Sequence, residues 1–421
     1  MKPLKVCLEA RISDAVPGGL QQVLIGLASG LSKLGDGDET YDFIVSDPGC
    51  EWLLPYLSGP CKAVKVPISL PPPLPAWRLA LKRIKPLRRI VVGARNAIDA
   101  HRSIPPVPTD DLPLRLGADV MHFPYQHAFP TPLPTIYHPH DLQHLHLPQF
   151  FTKSEINRRE ATYRRACAAA AMIAVTSTWV KNDLMAQYGI SPEKISVIPL
   201  APVLDSYPTP TDDDVAATKV RLDLPETFAF YPAQTWPHKN HLGLLRALRK
   251  IRDRGGPEIP FVFSGHRNLH YPDIEAFVKS SRLQDVVRFV GFVSPTELQV
   301  LYRLARCVVI PTKFEAASFP LWEAFSAGVA AASSNVTSLP EQAGDAALLF
   351  DPDSSDDMAA AIDRLWNDSE LRRLLIAKGR ARVEAFSWDR TARTFRAHYR
   401  RLAGRPLSHE DQGLVASTPI L

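Results

Sequence analysis

Apolar and polar positions along this chain keep two periods in alternation. Apolar runs of about four residues, closed by Gly, Pro or a polar turn, are followed by longer segments with apolar residues every three or four positions. That rhythm predicts buried parallel strands alternating with amphipathic helices. Residues 4–8, 41–46, 63–66, 118–123, 135–137, 172–175 and 195–199 read as strands, with helices over 20–34, 151–171 and 177–188. A second series begins at 228–231 and continues with strands at 261–263, 287–290 and 307–310. Its helices fall over 240–254, 273–283, 358–366, 371–385 and 388–402, with another starting at Ser294. Residues 202–225 between the series are polar and Pro-rich, as a linker would be, and the Asp212–Asp213–Asp214 run there reads as solvated charge rather than a metal site. The expectation is an α/β chain of two doubly wound domains, 1–201 and 226–386, with a helix and a frayed tail over 387–421.

Composition narrows the class. A length of 421 residues supports two separate cores, and 45% apolar with 22% charged residues is ordinary for a globular enzyme. A net charge of +5 gives no reason to expect nucleic acid. Five scattered cysteines without a C-x-x-C suit reduced thiols. The amino end runs directly into a strand without a signal-peptide core, and the longest uncharged apolar segment, 167–175, is too short to span a bilayer. The expected location is therefore cytoplasmic, either free or peripheral on the cytoplasmic face of the membrane. Many of the 39 prolines fall in a Pro-rich insertion over about 67–113. Its basic segment, 76–102, mixes Trp77, Leu81 and Ile84 with Arg83, Lys85, Arg88 and Arg89. It reads either as an amphipathic helix on the anionic inner membrane surface or as a solvated helix on its own domain.

Candidate chemistry concentrates in residues 311–341. The strand 307–310 stops at Pro311, Ser318 is placed to cap a helix, and Gly328 ends it. Glu315 precedes that helix and Glu323 lies within it, both at the carboxyl end of a strand, where open α/β sheets bind ligands. Amides at the helix start favour a phosphate, and the turn 334–341 is placed to grip the same anion. Gly18 and Gly19, after the first strand, allow backbone to approach phosphate or sugar oxygens. Lys239, at a strand-to-helix junction, is placed to neutralise a diphosphate. Five histidines lie between His127 and His146, and H-x-H spacing at 138/140 and 144/146 raises a metal site, with only Asp141 interleaved to support it. Asp141 also reads as a cap of the turn after it.

The pair Glu315 and Glu323, the turn Ser338–Leu339–Pro340–Glu341 and the run GDAALLFDP at 344–352 resemble the donor site of the family 4 retaining glycosyltransferases of the GT-B fold. The resemblance implies two Rossmann-like domains facing a central cleft, with the last helix crossing back to the first domain. It implies transfer of a hexose from a nucleotide diphosphate sugar to a glycan or lipid-linked acceptor, with retention and without metal or other cofactor. By the same resemblance Lys239, Arg267, Ser338, Leu339, Gly18 and Gly19 hold the diphosphate. Glu315 then holds the donor sugar, Glu323 the ribose, and Phe292 and Val293 the base. His140 would contact the sugar, and Asp141 would orient it or the acceptor. Two departures stand out. Ala316–Ala317–Ser318 replaces the family's Gly-Phe-Gly, and the usual arginine upstream of Lys239 is absent, leaving Arg267 or His238 to substitute. The form Trp236–Pro237–His238–Lys239–Asn240–His241 is similar to bacterial mannosyltransferases, which favours GDP-mannose over a UDP-sugar such as UDP-glucose and surface polysaccharide as the product. The rival readings are a GT-B phosphorylase or epimerase and a non-catalytic sugar-nucleotide sensor.

Overall fold

The structure is a computed structural model that describes residues 2–12, 18–67 and 108–416. Two wholly parallel sheets carry it. The first contains β1 (Lys5–Glu9), β2 (Thr40–Asp47), β3 (Cys61–Pro67), β4 (Val120–Phe123), β5 (Thr135–Tyr137), β6 (Met172–Val175) and β7 (Ile195–Val197), in the order β3-β2-β1-β4-β5-β6-β7. The second contains β8 (Ala229–Pro232), β9 (Phe261–Ser264), β10 (Val287–Gly291), β11 (Cys307–Ile310), β12 (Ala331–Ser334) and β13 (Ala347–Phe350), in the order β10-β9-β8-β11-β12-β13. Helices cover both faces, so strands such as β4, β6 and β11 are buried at every position, which is why they read as unbroken apolar runs. In each sheet the chain builds outward to one side and then crosses back, reversing between β1 and β4 and between β8 and β11. Loops leaving adjacent strands at such a reversal diverge and open a crevice at their carboxyl ends.

Among the described residues, the helices that make contacts from one domain to the other include α1 (Gly19–Leu31), α2 (Thr178–Tyr188), α3 (Phe319–Ser326), α4 (Leu339–Ala343) and α5 (Trp388–Leu402). Helix α5 leaves the second domain and docks on the first. Trp388 seats against Gly26 and Gly30 of α1. Thr391 Oγ1 donates to Pro199 O at 3.0 Å, and Arg400 Nε donates to Glu39 at 2.6 Å. Phe395 and Tyr399 are buried in the first domain's core.

Three local expectations change. The 202–225 linker contains a helix, Asp212–Arg221, whose capping box pairs Thr211 with Asp214. The three aspartates therefore sit in a helical first turn, where the positive end of the macrodipole favours them. The tail is ordered as a helix over His409–Ala416, because Asp411 is buried against Arg400 at 2.8 Å. The strands β12 and β13 are additions to the periodic reading: Ala-Ala-Ser-Ser of β12 carries little apolar signal, and β13 is a short Ala-Leu-Leu-Phe run. The basic segment 76–102 lies outside the described residues.

Candidate active site

The reversal point of the second sheet positions the first two groups. After β8 the chain turns through Pro237–Lys239, with Asn240 in a left-handed conformation (φ 57°), and starts the helix His241–Asp253. Asn240 is held there because its side-chain amide donates to Pro311 O and to Pro352 O, both at 2.9 Å. After β11 the chain turns through Pro311 to Ser318 and starts α3. These two loops bring Lys239 Nζ to 2.5 Å from Glu315 Oε1, with both side chains largely but not fully enclosed. The pair stands at the carboxyl ends of β8 and β11, beside the reversal point of the sheet.

The start of α1 faces this pair from the other domain. A Cβ built on Gly18 would lie 3.3 Å from Gln234 Nε2, and one on Gly19 would lie 3.7 Å from the Phe319 ring. Gly18 and Gly19 thus meet the loop that carries Lys239 and the helix that comes after Glu315. Gln234 carries no such signal in the sequence. Trp236 Nε1, which can only donate, gives a hydrogen bond to Gln234 Oε1 at 3.0 Å, and this turns the Gln234 amide nitrogen toward Gly18.

The turn at 337–341 is tied to the Glu315 loop by its side chains. Thr337 Oγ1 accepts from Glu315 N at 3.1 Å and donates to Glu315 O at 2.7 Å, and Ser338 Oγ donates to the same carbonyl at 2.7 Å. Leu339 N is spent on Val336 O, and its side chain is fully buried. The Ser338 hydroxyl therefore holds the Glu315 loop, while the Leu339 amide is engaged within its own turn. Ser318 precedes α3 but makes no side-chain cap. Gln342 instead accepts from Ser318 N at 2.8 Å and donates to Ser318 O at 2.7 Å. Ser318 Oγ is buried with no hydrogen-bond partner among the described residues.

Glu323 does not face an open ribose site. It is 2% exposed, with Oε1 accepting from Gln22 Nε2 of α1 at 2.6 Å and Oε2 from the Tyr302 hydroxyl at 2.7 Å. Burial pushes its pKa up to about 7, and the two hydrogen bonds only partly oppose that. In this structure the carboxylate ties the two domains together. Of the two substitutes for the missing arginine, Arg267 is engaged elsewhere and His238 carries no charge. Arg267 donates to Phe289 O at 2.7 Å and lies over the Tyr271 ring, which pins it toward β10. His238 is driven by burial, and secondarily by Lys239, down to about 2, so it is neutral. Phe292 is 55% exposed and stacks on His266 at 4.6 Å, at the carboxyl end of β10 and two strands away from β8, whereas Val293 is buried beside it.

The histidines disperse onto separate partners. His122 Nε2 and His138 Nε2 share a hydrogen bond at 2.8 Å, and His122 Nδ1 meets the Tyr399 hydroxyl at 2.6 Å. His144 pairs with Glu160, and His146 with both oxygens of Asp183. The two H-x-H pairs therefore do not converge on a common point. His140 holds a left-handed backbone (φ 61°), unusual for a side chain of its size, and its Nε2–H donates to Pro124 O at 3.0 Å. Burial holds its pKa below the ordinary value against the opposing charge of Asp141, which leaves Nδ1 of the neutral ring as an acceptor. Asp141 accepts from Gln143 N at 3.0 Å, so it caps the single turn Gln143–His146.

Comparison with known proteins agrees with this architecture. Residues 17–201 match the model of Glycosyltransferase Family 4, and residues 213–382 match that of Glycosyl transferases group 1. The O-antigen chain mannosyltransferase B of Escherichia coli is 29% identical over 261 residues, 62% of this chain and 68% of that protein. The serotype-specific mannosyltransferase WbdA of Escherichia coli is 28% identical over 182 residues, 42% of this chain and only 22% of that longer protein. Among solved structures, the sucrose-phosphate synthase of Thermosynechococcus elongatus superposes with a TM-score of 0.69 at 20% identity, covering 95% of this chain and 99% of that one. With both domains matched in their order, and with the paired sheets and Lys239–Glu315 at the reversal point, the chain belongs to the family 4 glycosyltransferases of the GT-B fold.

Proposed function

We propose that this glycosyltransferase moves mannose from GDP-mannose to a hydroxyl of a glycan or lipid-linked saccharide, with retention, during synthesis of a surface polysaccharide. The observation that carries the reading is the Lys239–Glu315 contact at the carboxyl ends of β8 and β11, faced by the start of α1. Its support for mannose comes from the mannosyltransferase relatives. Lys239 and the amides at the starts of α1 and α3 are suited to a leaving diphosphate. Charge grows on that group as the C1–O bond breaks, and donors placed in advance stabilise it without reorganisation. Glu315 would hold a hydroxyl of the transferred sugar, and His140 would accept from another through Nδ1. Retention results when the acceptor oxygen bonds C1 on the face the diphosphate leaves, and the departing phosphate oxygen takes the acceptor's proton. This route asks for no metal, because Lys239 and backbone amides carry the phosphate charge. The test is nucleotide release from GDP-mannose and UDP-glucose, with and without EDTA, and the anomeric configuration of the product by NMR. Release from GDP-mannose that survives EDTA, with an α-linked product, is expected. Preference for UDP-glucose, a β-linked product, or loss in EDTA that Mg²⁺ restores would overturn the corresponding part.

A further inference from the structure

We infer that Glu341 is a positioning residue for the transfer, a latch that holds the first domain against the Glu315 loop. Glu341 lies in the first turn of α4, in the second domain, yet its carboxylate is bound by the first domain. Oε1 accepts from Thr178 N at 2.7 Å and Oε2 from Trp179 N at 3.0 Å. These are first-turn amides of α2, an eleven-residue helix, so a full negative charge sits on the positive end of a helix dipole. Arg382 fixes the latch from behind, donating from Nη2 to Glu341 O and from Nε to Gln342 O at 2.6 and 2.7 Å.

The neighbouring contacts show what this latch holds. Thr176 Oγ1, just ahead of α2, donates to Ala316 O at 2.9 Å. The Phe314 ring packs against Trp179 and His146 at 5.5 and 5.4 Å between centroids, and His146 is itself tied to Asp183. The residues on either side of Glu315 are thus gripped by the first domain, while Thr337 and Ser338 hold the Glu315 backbone from within the second. Glu341 follows that 337–338 turn after Leu339 and Pro340 and bonds the segment that holds Ala316. Separation of the domains must break the Glu341, Thr176 and Trp179 contacts together, leaving Glu315 supported from one side only. Closure and correct placement of Glu315 are therefore one event, and the Glu341 carboxylate, bound through both oxygens, is the charged contact in it.

This inference rests on the proposed transfer, but its structural half can be tested alone. Two variants remove opposite halves of the latch. Glu341→Gln keeps one acceptor and sets an NH₂ group against an amide donor. Thr178→Pro deletes a donor amide, and proline is well accepted at the first helical position after Ser177, whose backbone is already extended. Small-angle scattering on the wild type and both variants, with and without GDP, reads closure. Steady-state kinetics with GDP-mannose reads its consequence. The expected result is a larger radius of gyration for both variants, a thermal midpoint near that of wild type, GDP affinity within about twofold, and kcat lower by roughly tenfold. Wild-type compactness in both variants would overturn the latch, whatever the kinetics show. Expanded variants with unchanged kcat would overturn the positioning role. If the wild type neither binds GDP nor turns over GDP-mannose, the proposed function fails, while the scattering still decides the latch.

Discussion

The docking of α5 on α1 allows one perturbation to be worked through. Gly26 of α1 lies under the indole of Trp388, and a Cβ added there would fall 1.9, 2.1 and 2.2 Å from three ring carbons. Carbon atoms pack at about 3.5–4.0 Å, so Gly26→Ala forces the ring or the helix to move by about 1.5–2 Å. Trp388 is only 7% exposed, and Gly30 abuts its backbone carbonyl, so there is no free space to move into. Overpacking of this kind costs about 1–3 kcal/mol, and expelling the indole altogether would cost about 3–5 kcal/mol. Alanine returns about 1 kcal/mol in helix propensity. The expected net loss is about 2 kcal/mol, taken from the attachment of α5 to the first domain. Urea unfolding of wild type, Gly26→Ala, Trp388→Ala and the double variant measures it as a double-mutant cycle. In the Trp388→Ala background the clash has no partner, so Gly26→Ala should become neutral or stabilise by up to about 1 kcal/mol. An equal cost in both backgrounds, or a stabilised single variant, would refute the packing account.

Charged and titratable groups give the remaining expectations. Glu315→Gln releases Lys239 from its 2.5 Å partner, so GDP affinity by calorimetry should stay level or rise while kcat falls by at least about tenfold; loss of GDP binding would remove Glu315 from the sugar side. Glu323 has its pKa raised from 4.5 to about 7, so its stabilising protonated form is lost as pH rises through that window. The stability of Glu323→Gln relative to wild type should therefore increase by up to about 3 kcal/mol between pH 4.5 and 8, and a flat difference would contradict the buried carboxyl. His122, His238, His241 and His398 are held by burial at about 3, 2, 3 and 4, and His138 well below its ordinary value. Their folded pKa values are depressed, so the unfolded chain takes up protons first. Stability should be full above about pH 6.5 and fall steeply as pH drops below it, by up to about 1.4 kcal/mol per pH unit for each histidine, as read from urea midpoints.

Local pattern alone determined much of this molecule. The strand and helix rhythm comes from side-chain periodicity, which a chain displays wherever a segment is buried on one face or two. The break between domains, the helix over residues 388–402 and the approach of Lys239, Glu315, Gly18 and Gly19 to one crevice were all legible. Each depends on a short motif at the end of a strand, and parallel sheets deliver strand ends to one edge. The partners of individual side chains were not legible. Glu323 meets Gln22 across 301 positions of sequence and Glu341 meets Thr178 across 163, and no local period encodes such a distance. Sequence spacing also could not show that the Ser338 hydroxyl turns to the Glu315 carbonyl or that Arg267 turns to β10. Those outcomes depend on which neighbour leaves a donor or acceptor unpaired once water is excluded. Only the assembled tertiary structure sets that condition, because a buried polar group takes whatever partner packing brings within reach.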